Sequence, residues 1–521
     1  MTGGATGGPL DGGRRFDRRS TIRAALMTTG SAYVSYVAGL FVTAALARAM
    51  GPQDYGVYAY FLWLAGLLGS AYNSGFVSTS IRFISEALGR NRPDQSRAVM
   101  GWLRRRYLVG VGIATTGFVL LGPWIRPSTG SQVSLLLMLM AIVGAMSKSA
   151  FTLLASFGKG YGRFEVESLT TSVLALINVV GVLVLVFFRV HLLGFAAFFV
   201  ALCIAHWALG QRLAVRAGIR PSSESLDVDL RQRVGITLRW SVLFALLAAF
   251  SASSIETYLL SRYAGSADVA YFSLALSFAR AGVTLFIVGI SSTVLPVLAH
   301  AYGRAETGGA AKLAERAVRY THLLGMAIAG LGFFLAFPAV RLLYGENYIQ
   351  TVWILQCIIV AKAFTVSTGV LTALFVANDQ QRGRTSILAF TMLVNMGVAF
   401  LLVPRFGLVG AVISSVLSGT IDLGIMLVVA AREFGLRLPL NSLLRITACG
   451  MVAATPAYVV SRFSHGVVLE IVAAVIFFMI YFPLAFMFGR WELEDMSIFR
   501  GAAAKVLQSP RVAKLLEHFR R

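Results

Sequence analysis

The chain has 521 residues, of which 57% are hydrophobic and only 13% are charged, and its formal net charge is +23. Soluble globular proteins average about 45–50% apolar and about 25% charged residues. This composition excludes a water-soluble enzyme or binding protein of this length, and it favours a membrane protein whose apolar surface is solvated by lipid.

Apolar windows long enough to cross a membrane recur along the chain. A helix needs about 20 apolar residues to cross about 30 Å of hydrocarbon at 1.5 Å per residue. The chain is therefore predicted to be an all-α polytopic membrane protein with about fourteen transmembrane helices. The windows are at about 24–47, 56–77, 107–125, 133–157, 167–188, 191–211, 239–261, 269–298, 321–343, 351–376, 386–403, 407–430, 444–462 and 466–488.

The loops between these windows alternate in charge. Even-numbered loops carry clusters of arginine and lysine, as at 90–106, 212–233 and 304–319, whereas odd-numbered loops carry about one cation each. Because cytoplasmic loops are enriched in arginine and lysine, the even loops and both termini are predicted to be cytoplasmic. The same bias, together with attraction to anionic membrane lipids, accounts for most of the net charge, so no nucleic-acid partner is expected.

Metal and nucleotide sites have little support. The three cysteines, Cys203, Cys357 and Cys449, lie in separate apolar windows, and no Cys-x-x-Cys or His-x-x-x-His spacing occurs. Neither a disulfide framework nor a metal site is expected. The glycine-rich stretch 158–162 follows a membrane helix and lacks the spacing of a phosphate-binding loop, which argues against ATP binding.

An internal repeat appears when the chain is slid along itself by 214 residues. The aligned pairs are Leu46 with Leu260, Arg48 with Arg262, Gly51 with Gly265, and Asp54 with Asp268. Both copies fall on the junction that opens a set of six spans. This pattern is typical of a transporter with two parallel lobes, related by an axis along the membrane normal.

The repeat and the windows predict six segments. They are a basic cytoplasmic tail (1–21), an N-lobe of spans 1–6 (22–212), a cytoplasmic linker (213–237), a C-lobe of spans 7–12 (238–431), an extra pair of spans 13–14 (432–488), and an amphipathic cytoplasmic tail (489–521).

Three spans carry a cation on a helical face that also bears hydroxyl groups. These faces are Lys148 with Thr152, Ser156 and Lys159; Arg280 with Ser273, Ser277, Thr284 and Ser291; and Lys362 with Thr365, Gly369 and Thr372. Ionisable groups inside a membrane are costly, and they usually face a water-filled interior. Cations compensate phosphate charge and hydroxyls exchange hydrogen bonds with sugars. Lys148, Arg280 and Lys362 are therefore predicted to bind substrate in a central cavity.

Two carboxylates lie within spans, Glu256 in span 7 and Asp422 in span 12. They could bind a proton or a sodium ion that drives transport, and Asp422 shares its face with Ser415 and Ser418. The alternative is structural, in which each cation pairs with one of these carboxylates and holds the helices together. No other cofactor is expected.

Four motifs resemble those of the bacterial polysaccharide flippases, which share a superfamily with multidrug exporters and the lipid II flippase. The motifs are ALARAMGPQDYGVY at 45–58, IRFISE at 81–86, GYGRF at 160–164 and LYGENY at 343–348. The resemblance covers roughly 20–435. No binding residue is carried over from the resemblance, because these motifs mark the topology of the chain and not contacts with substrate.

The resemblance implies a two-lobed transporter in the cytoplasmic (inner) membrane. It would carry undecaprenyl-pyrophosphate-linked oligosaccharides outward for exopolysaccharide synthesis, alongside polysaccharide polymerase or export machinery. Spans 13–14 are similar to the lipid II branch, so a peptidoglycan precursor stays an alternative cargo.

Three other functions stay open from the sequence. A multidrug exporter would be expected to have an acidic, aromatic cavity, whereas here three candidate cations outnumber two carboxylates. A membrane polymerase or ligase would be expected to have a sizeable outer loop, but the predicted outer loops have about ten residues or fewer. A structural scaffold would not need charges within its spans. A flippase, and not an enzyme, is the function that the sequence favours.

Overall fold

The described part of the chain is built from α-helices. A computed structural model describes residues 18–125, 131–222, 226–252, 255–283, 307–377, 381–436, 440–463 and 466–488, and no β-strand occurs in these ranges. The helices are α1 (Arg18–Asn73), α2 (Phe76–Gly89), α3 (Pro93–Ile125), α4 (Ser131–Gly160), α5 (Glu165–Phe187), α6 (Leu192–Arg216), α7 (Val228–Ala252), α8 (Ile255–Tyr263), α9 (266–283), α10 (Thr307–Leu343), α11 (Thr351–Phe364), α12 (Thr368–Ala377), α13 (Gln381–Phe434), α14 (Leu440–Arg462) and α15 (Val467–Phe488). Short 3₁₀ turns lie at Glu346–Tyr348 and Thr365–Ser367.

Ten helical segments of the described chain are long and apolar enough to cross a membrane, so the protein is a multi-pass membrane protein. Two of these segments are far longer than one crossing requires. They contain 60 residues (Gly30–Gly89) and 52 residues (Gly383–Phe434). A straight helix of 60 residues would measure about 90 Å, three times the hydrocarbon thickness.

Glycines break both of these long segments. The backbone leaves the helical region at Gly51, with φ of 74°, and at Gly407, with φ of 53°. Residues with a Cβ avoid such positive φ values, whereas glycine adopts them readily. The sequence repeat pairs Gly51 with Gly265, which also has a positive φ, of 142°. The two copies of the repeat therefore use a glycine for the same purpose, a break between consecutive helices.

Several helices extend beyond the predicted windows. After the break at Asn73–Gly75 the chain continues as α2, and α7 begins at Val228, within the predicted linker 213–237. These extensions carry charged residues, which a search for apolar windows excludes. The predicted tails lie outside the described residues from 1 to 17 and from 489 to 521, as does the predicted part of span 8 beyond residue 283, including Thr284 and Ser291.

Packing is organised around three apolar clusters. The largest joins residues of α1–α9 with the last turns of α10 and the middle of α11 and α13, among them the fully buried Phe61, Leu260 and Leu355. A second cluster packs α12 and α13 against the first turns of α10. The third holds the pair α14–α15 against the middle of α10. Helix α10 therefore connects the extra helix pair to the rest of the protein.

Close packing fixes this pair on α10. A Cβ on Gly330 would come within 2.0 Å of the Phe477 ring of α15, so only glycine lets the two helices approach this closely. The Tyr481 hydroxyl donates to the Leu323 carbonyl at 2.9 Å. His322 makes a 2.9 Å hydrogen bond to the Thr447 hydroxyl of α14.

We expect Gly330→Leu to detach or displace the α14–α15 pair. Inserting a side chain into a packed interface costs about 1–3 kcal/mol, which lowers the thermal midpoint by several degrees. Thermal unfolding of the purified protein in detergent measures the effect. Gly397→Leu is the matched control, because Gly397 also lies within a helix and has no atom within 4 Å of a built Cβ. Equal midpoints for the two variants would contradict this packing.

Candidate functional site

Arg280 lies well inside α9. It is about 20 Å along the helix from residue 266, at 1.5 Å per residue. Arg280 is an exposed residue, and Glu256 contributes to its electrostatic surroundings. The binding of substrate by Arg280 in a cavity stays a prediction.

Lys362 belongs to the same cluster as Arg280. It lies near the end of α11, about 17 Å from Thr351, and is half-buried. Lys362 interacts electrostatically with Arg280, Glu256 and Asp422, and Arg280 also interacts with Glu256. The cluster therefore places two cations near one buried carboxylate, with a second carboxylate near Lys362.

Glu256 is held in a polar pocket between α8 and α13. Only 1% of the residue is exposed, and its Oε1 accepts hydrogen bonds from Asn395 Nδ2 and Ser414 Oγ, both at 3.1 Å. Asn395 and Ser414 come from the two arms of α13 on either side of the break at Gly407. The pocket thus satisfies Glu256 Oε1 with an amide N–H donor and a hydroxyl donor, and the Ser414 oxygen keeps lone pairs that can accept.

Asp422 pairs with Arg384, which lies between the predicted windows 351–376 and 386–403. The Arg384 guanidinium spans the two carboxylate oxygens of Asp422 at 3.1 and 3.5 Å, and both side chains are mostly buried. The structural pairing that the sequence left open is therefore present at Asp422, although its partner is Arg384. Ser418, predicted to share its site, donates to the Ser415 carbonyl of its own helix.

Lys148 stands apart from these residues, in the N-terminal half of the chain. Its Nζ lies 5.2 Å from the centroid of the Phe151 ring. That ring packs edge-on against His206, whose Nδ1 is 2.9 Å from the Leu202 carbonyl. Cys203 and Glu167 contribute to the electrostatic surroundings of Lys148. The structure therefore brings Arg280 and Lys362 together, and places Lys148 in a separate cluster on α4 and α6.

The hydroxyl groups on the predicted faces donate to their own helices. Thr152 donates to the Lys148 carbonyl at 3.0 Å, Thr365 to the Lys362 carbonyl at 3.1 Å, and Thr372 to the Thr368 carbonyl at 2.8 Å. A hydroxyl that has donated its proton keeps lone pairs that can accept. These side chains are therefore suited to accept hydrogen bonds from a ligand such as a sugar.

The two halves of the chain meet at the end of the bundle that carries Tyr348, here called the Tyr348 end. Arg48 Nε donates to the Leu343 carbonyl at 3.0 Å, and its Nη2 donates to Leu342. The buried Tyr348 hydroxyl donates to the Ala47 carbonyl at 2.8 Å, and burial raises the pKa of this phenol, so it stays protonated. Arg48 therefore caps the C-terminal carbonyls of α10.

A glycine allows the closest approach at this end. A Cβ on Gly56 of α1 would lie 1.7 Å from the carbonyl oxygen of Ser266, where α9 begins. At the opposite end, Arg233 of α7 pairs with Glu86 of α2 at 2.9 Å and lies over the Phe83 ring. Glu86 and Phe83 belong to the motif at 81–86. The halves therefore contact each other at both ends of the bundle.

The sequence pattern of the family described as polysaccharide biosynthesis protein matches residues 22–301, more than half of the chain. The chain belongs to this family. No curated protein matches the sequence.

Family membership agrees with the fold of solved structures. One similar structure is the lipid II flippase MurJ in an inward closed conformation, with a TM-score of 0.72, 15% identity, and coverage of 90% of this chain and 99% of that one. Another is an inward-facing multidrug resistance MATE transporter of the MOP superfamily. Its TM-score is 0.63 and its identity is 16%, and the match covers 79% of this chain and 98% of that one. A third is a MOP superfamily transporter from Pyrococcus furiosus with a reversed polarity of its binding pocket. Its TM-score is 0.51 and its identity is 16%, and the match covers 80% of this chain and 94% of that one. This member of the polysaccharide biosynthesis family thus has the fold of the flippases and transporters of that superfamily.

Some site residues of this family member were missed by sequence reasoning. Asn395 and Ser414 complete the Glu256 pocket, Arg384 neutralises Asp422, and His322 links α10 to α14. Asn395 and His322 are isolated polar residues within apolar windows, which was a usable signal. Arg384 gave no such signal, because an arginine at a predicted loop is explained by topology alone.

Proposed function

We propose that the protein moves polyprenyl-pyrophosphate-linked oligosaccharides from the cytoplasmic to the outer leaflet of the inner membrane. The observation that carries the proposal is the pair of cations Arg280 and Lys362, which interact electrostatically well inside α9 and α11, in a chain of the polysaccharide biosynthesis family. Two cations suit a pyrophosphate, and neighbouring hydroxyl oxygens suit sugars. Lys148 would contribute a third cation from the other half.

We propose alternating access as the mechanism. Spans 1–6 and 7–12 would form two lobes that rock about the central cations, while the polyprenyl tail stays in lipid. The breaks at Gly51 and Gly407 would divide two of the ten apolar segments into consecutive spans, and α7–α9 would supply predicted spans 7 and 8, giving fourteen spans in all. Both termini would then be cytoplasmic, with the Tyr348 end outside and Glu86 and Arg233 at the cytoplasmic end.

We place the candidate binding site for the coupling ion in the C-terminal half of the chain. The Glu256 pocket, with Asn395 and Ser414, is a better candidate for a proton or sodium ion than Asp422, because Arg384 already neutralises Asp422. A bound cation would also weaken the attraction between Glu256 and the two cavity cations, which would connect ion binding to substrate binding.

The experiment is a deletion of the gene, followed by extraction of polyprenyl-linked oligosaccharides and assignment of their leaflet. Intact repeat units on the cytoplasmic leaflet, with loss of surface polysaccharide, are expected. Lipid II accumulating instead would favour the peptidoglycan alternative, to which the 90% coverage by the MurJ structure lends support. Units on the outer leaflet together with altered sensitivity to cationic drugs would favour the multidrug exporter, to which the MATE likeness lends support.

A further inference from the structure

An apolar groove opens beside Arg48 at the Tyr348 end. It encloses about 290 Å³. The residues that line it come from three helices, Phe41, Val42, Ala44, Ala45 and Arg48 of α1, Val179, Val182 and Leu183 of α5, and Leu342 and Leu343 of α10. Nine of these ten residues are apolar, and Arg48 is the single charge. The groove is separate from the cluster around Arg280.

The rim of the groove faces the surrounding medium. Phe41 is 63% exposed, Leu183 55% and Leu342 73%. In a multi-pass membrane protein such large exposed apolar side chains at spanning helices are solvated by lipid chains. The groove runs along α1 from Phe41 to Arg48, about 10 Å or two helical turns. It can therefore hold a segment of one acyl chain.

Arg48 gives the groove a headgroup preference. Its guanidinium carries five N–H groups, and the carbonyls of Leu342 and Leu343 accept from Nη2 and Nε, which leaves Nη1 available. Among the described residues Arg48 forms no ion pair with a carboxylate. A positive charge that protein does not neutralise, at the end of an apolar groove, matches an anionic phosphate on an acyl chain.

We propose that this groove binds one anionic phospholipid, with an acyl chain along α1 and its phosphate on Arg48. The outer leaflet as its source rests on the orientation proposed above. Because α1 and α5 belong to the N-terminal half and α10 to the C-terminal half, the bound lipid bridges the two halves. It therefore stabilises the contacts of the Tyr348 end.

Thermal unfolding of the purified full chain in detergent tests the proposal. Dioctanoyl phosphatidylglycerol should raise the midpoint of the wild type by at least about 3 °C, since a ligand that binds only the folded state stabilises it. Dioctanoyl phosphatidylcholine should give less than half of this shift. Inorganic phosphate should give none.

Two variants locate the effect. Leu183→Trp fills the groove and retains Arg48, and Arg48→Gln removes the charge, so both should lose the shift. Leu176→Trp is the matched control, because Leu176 is an exposed leucine of α5, 61% accessible, outside the groove. An unchanged shift in Leu183→Trp, an equal shift with phosphatidylcholine, or an equal shift with inorganic phosphate would each overturn the proposal. None of these readouts depends on transport, so a failure here is distinguishable from a failure of the proposed function.

Discussion

Arg280→Ala should reduce export of lipid-linked oligosaccharide by about 10- to 100-fold. Hydrogen bonds to a charged group contribute about 1.5–3 kcal/mol, and each 1.4 kcal/mol corresponds to a factor of ten. Arg280 is exposed, lies well inside α9 and has Lys362 as a neighbouring cation, so its loss removes charge where we propose that a pyrophosphate crosses. The measurement is surface polysaccharide in a deletion strain that expresses the variant.

Three further variants separate charge from structure. Arg280→Lys keeps the charge and loses the planar guanidinium, so intermediate export is expected. Lys148→Ala should also impair export. Arg405→Ala is the matched control, since Arg405 is an exposed arginine between the two arms of α13. All variants should insert into the membrane at wild-type levels. Export at the wild-type level in both Arg280→Ala and Lys148→Ala would refute the assignment of the cavity.

Gly56→Ala should abolish export by preventing closure of the Tyr348 end. The new Cβ would lie 1.7 Å from the Ser266 carbonyl oxygen, and a backbone atom cannot move aside as the end of a flexible side chain can. A cost of about 3 kcal/mol would shift the population of the closed state by about a hundredfold. A membrane-impermeant thiol reagent measures this shift at a cysteine introduced by Ala47→Cys, after Cys203, Cys357 and Cys449 are replaced by alanine.

Ala47 is a suitable reporter position because it is fully buried and contacts Tyr348. The reagent should label it slowly in the otherwise unchanged protein and rapidly when Gly56→Ala is added. Gly69→Ala is the matched control on the same helix, because no atom lies within 4 Å of a built Cβ there. Slow labelling of the Gly56→Ala protein, or normal export by it, would show that transport does not require the close approach of Gly56 to Ser266.

The fold was largely predictable, because lipid imposes long apolar helices that a search along the sequence detects. The repeat aligned Gly51 with Gly265, and the structure adds that both glycines have a positive φ. Helix ends were predicted less well, because α2 and the start of α7 carry charges that only packing against neighbouring helices makes compatible with the bundle.

The partners of the site residues were not predictable to the same degree. Periodicity assigns a residue to a face of its own helix, but the rotation of one helix against another depends on packing throughout the bundle. Glu256 and Asn395 meet across 139 positions of sequence, and Asp422 and Arg384 meet across the break at Gly407. The contact of Arg48 with the last carbonyls of α10 likewise joins positions that lie far apart in the sequence.

The short 3₁₀ turn at Thr365–Ser367 bears on how Lys362 could move. A 3₁₀ helix advances about 120° and 2.0 Å per residue, whereas an α-helix advances about 100° and 1.5 Å. If these three residues changed to α-helical geometry, α12 would rotate by about 60° relative to α11 and shift by about 1.5 Å. A change of this turn from 3₁₀ to α-helical geometry would therefore move Thr372 around the axis of span 10 relative to Lys362.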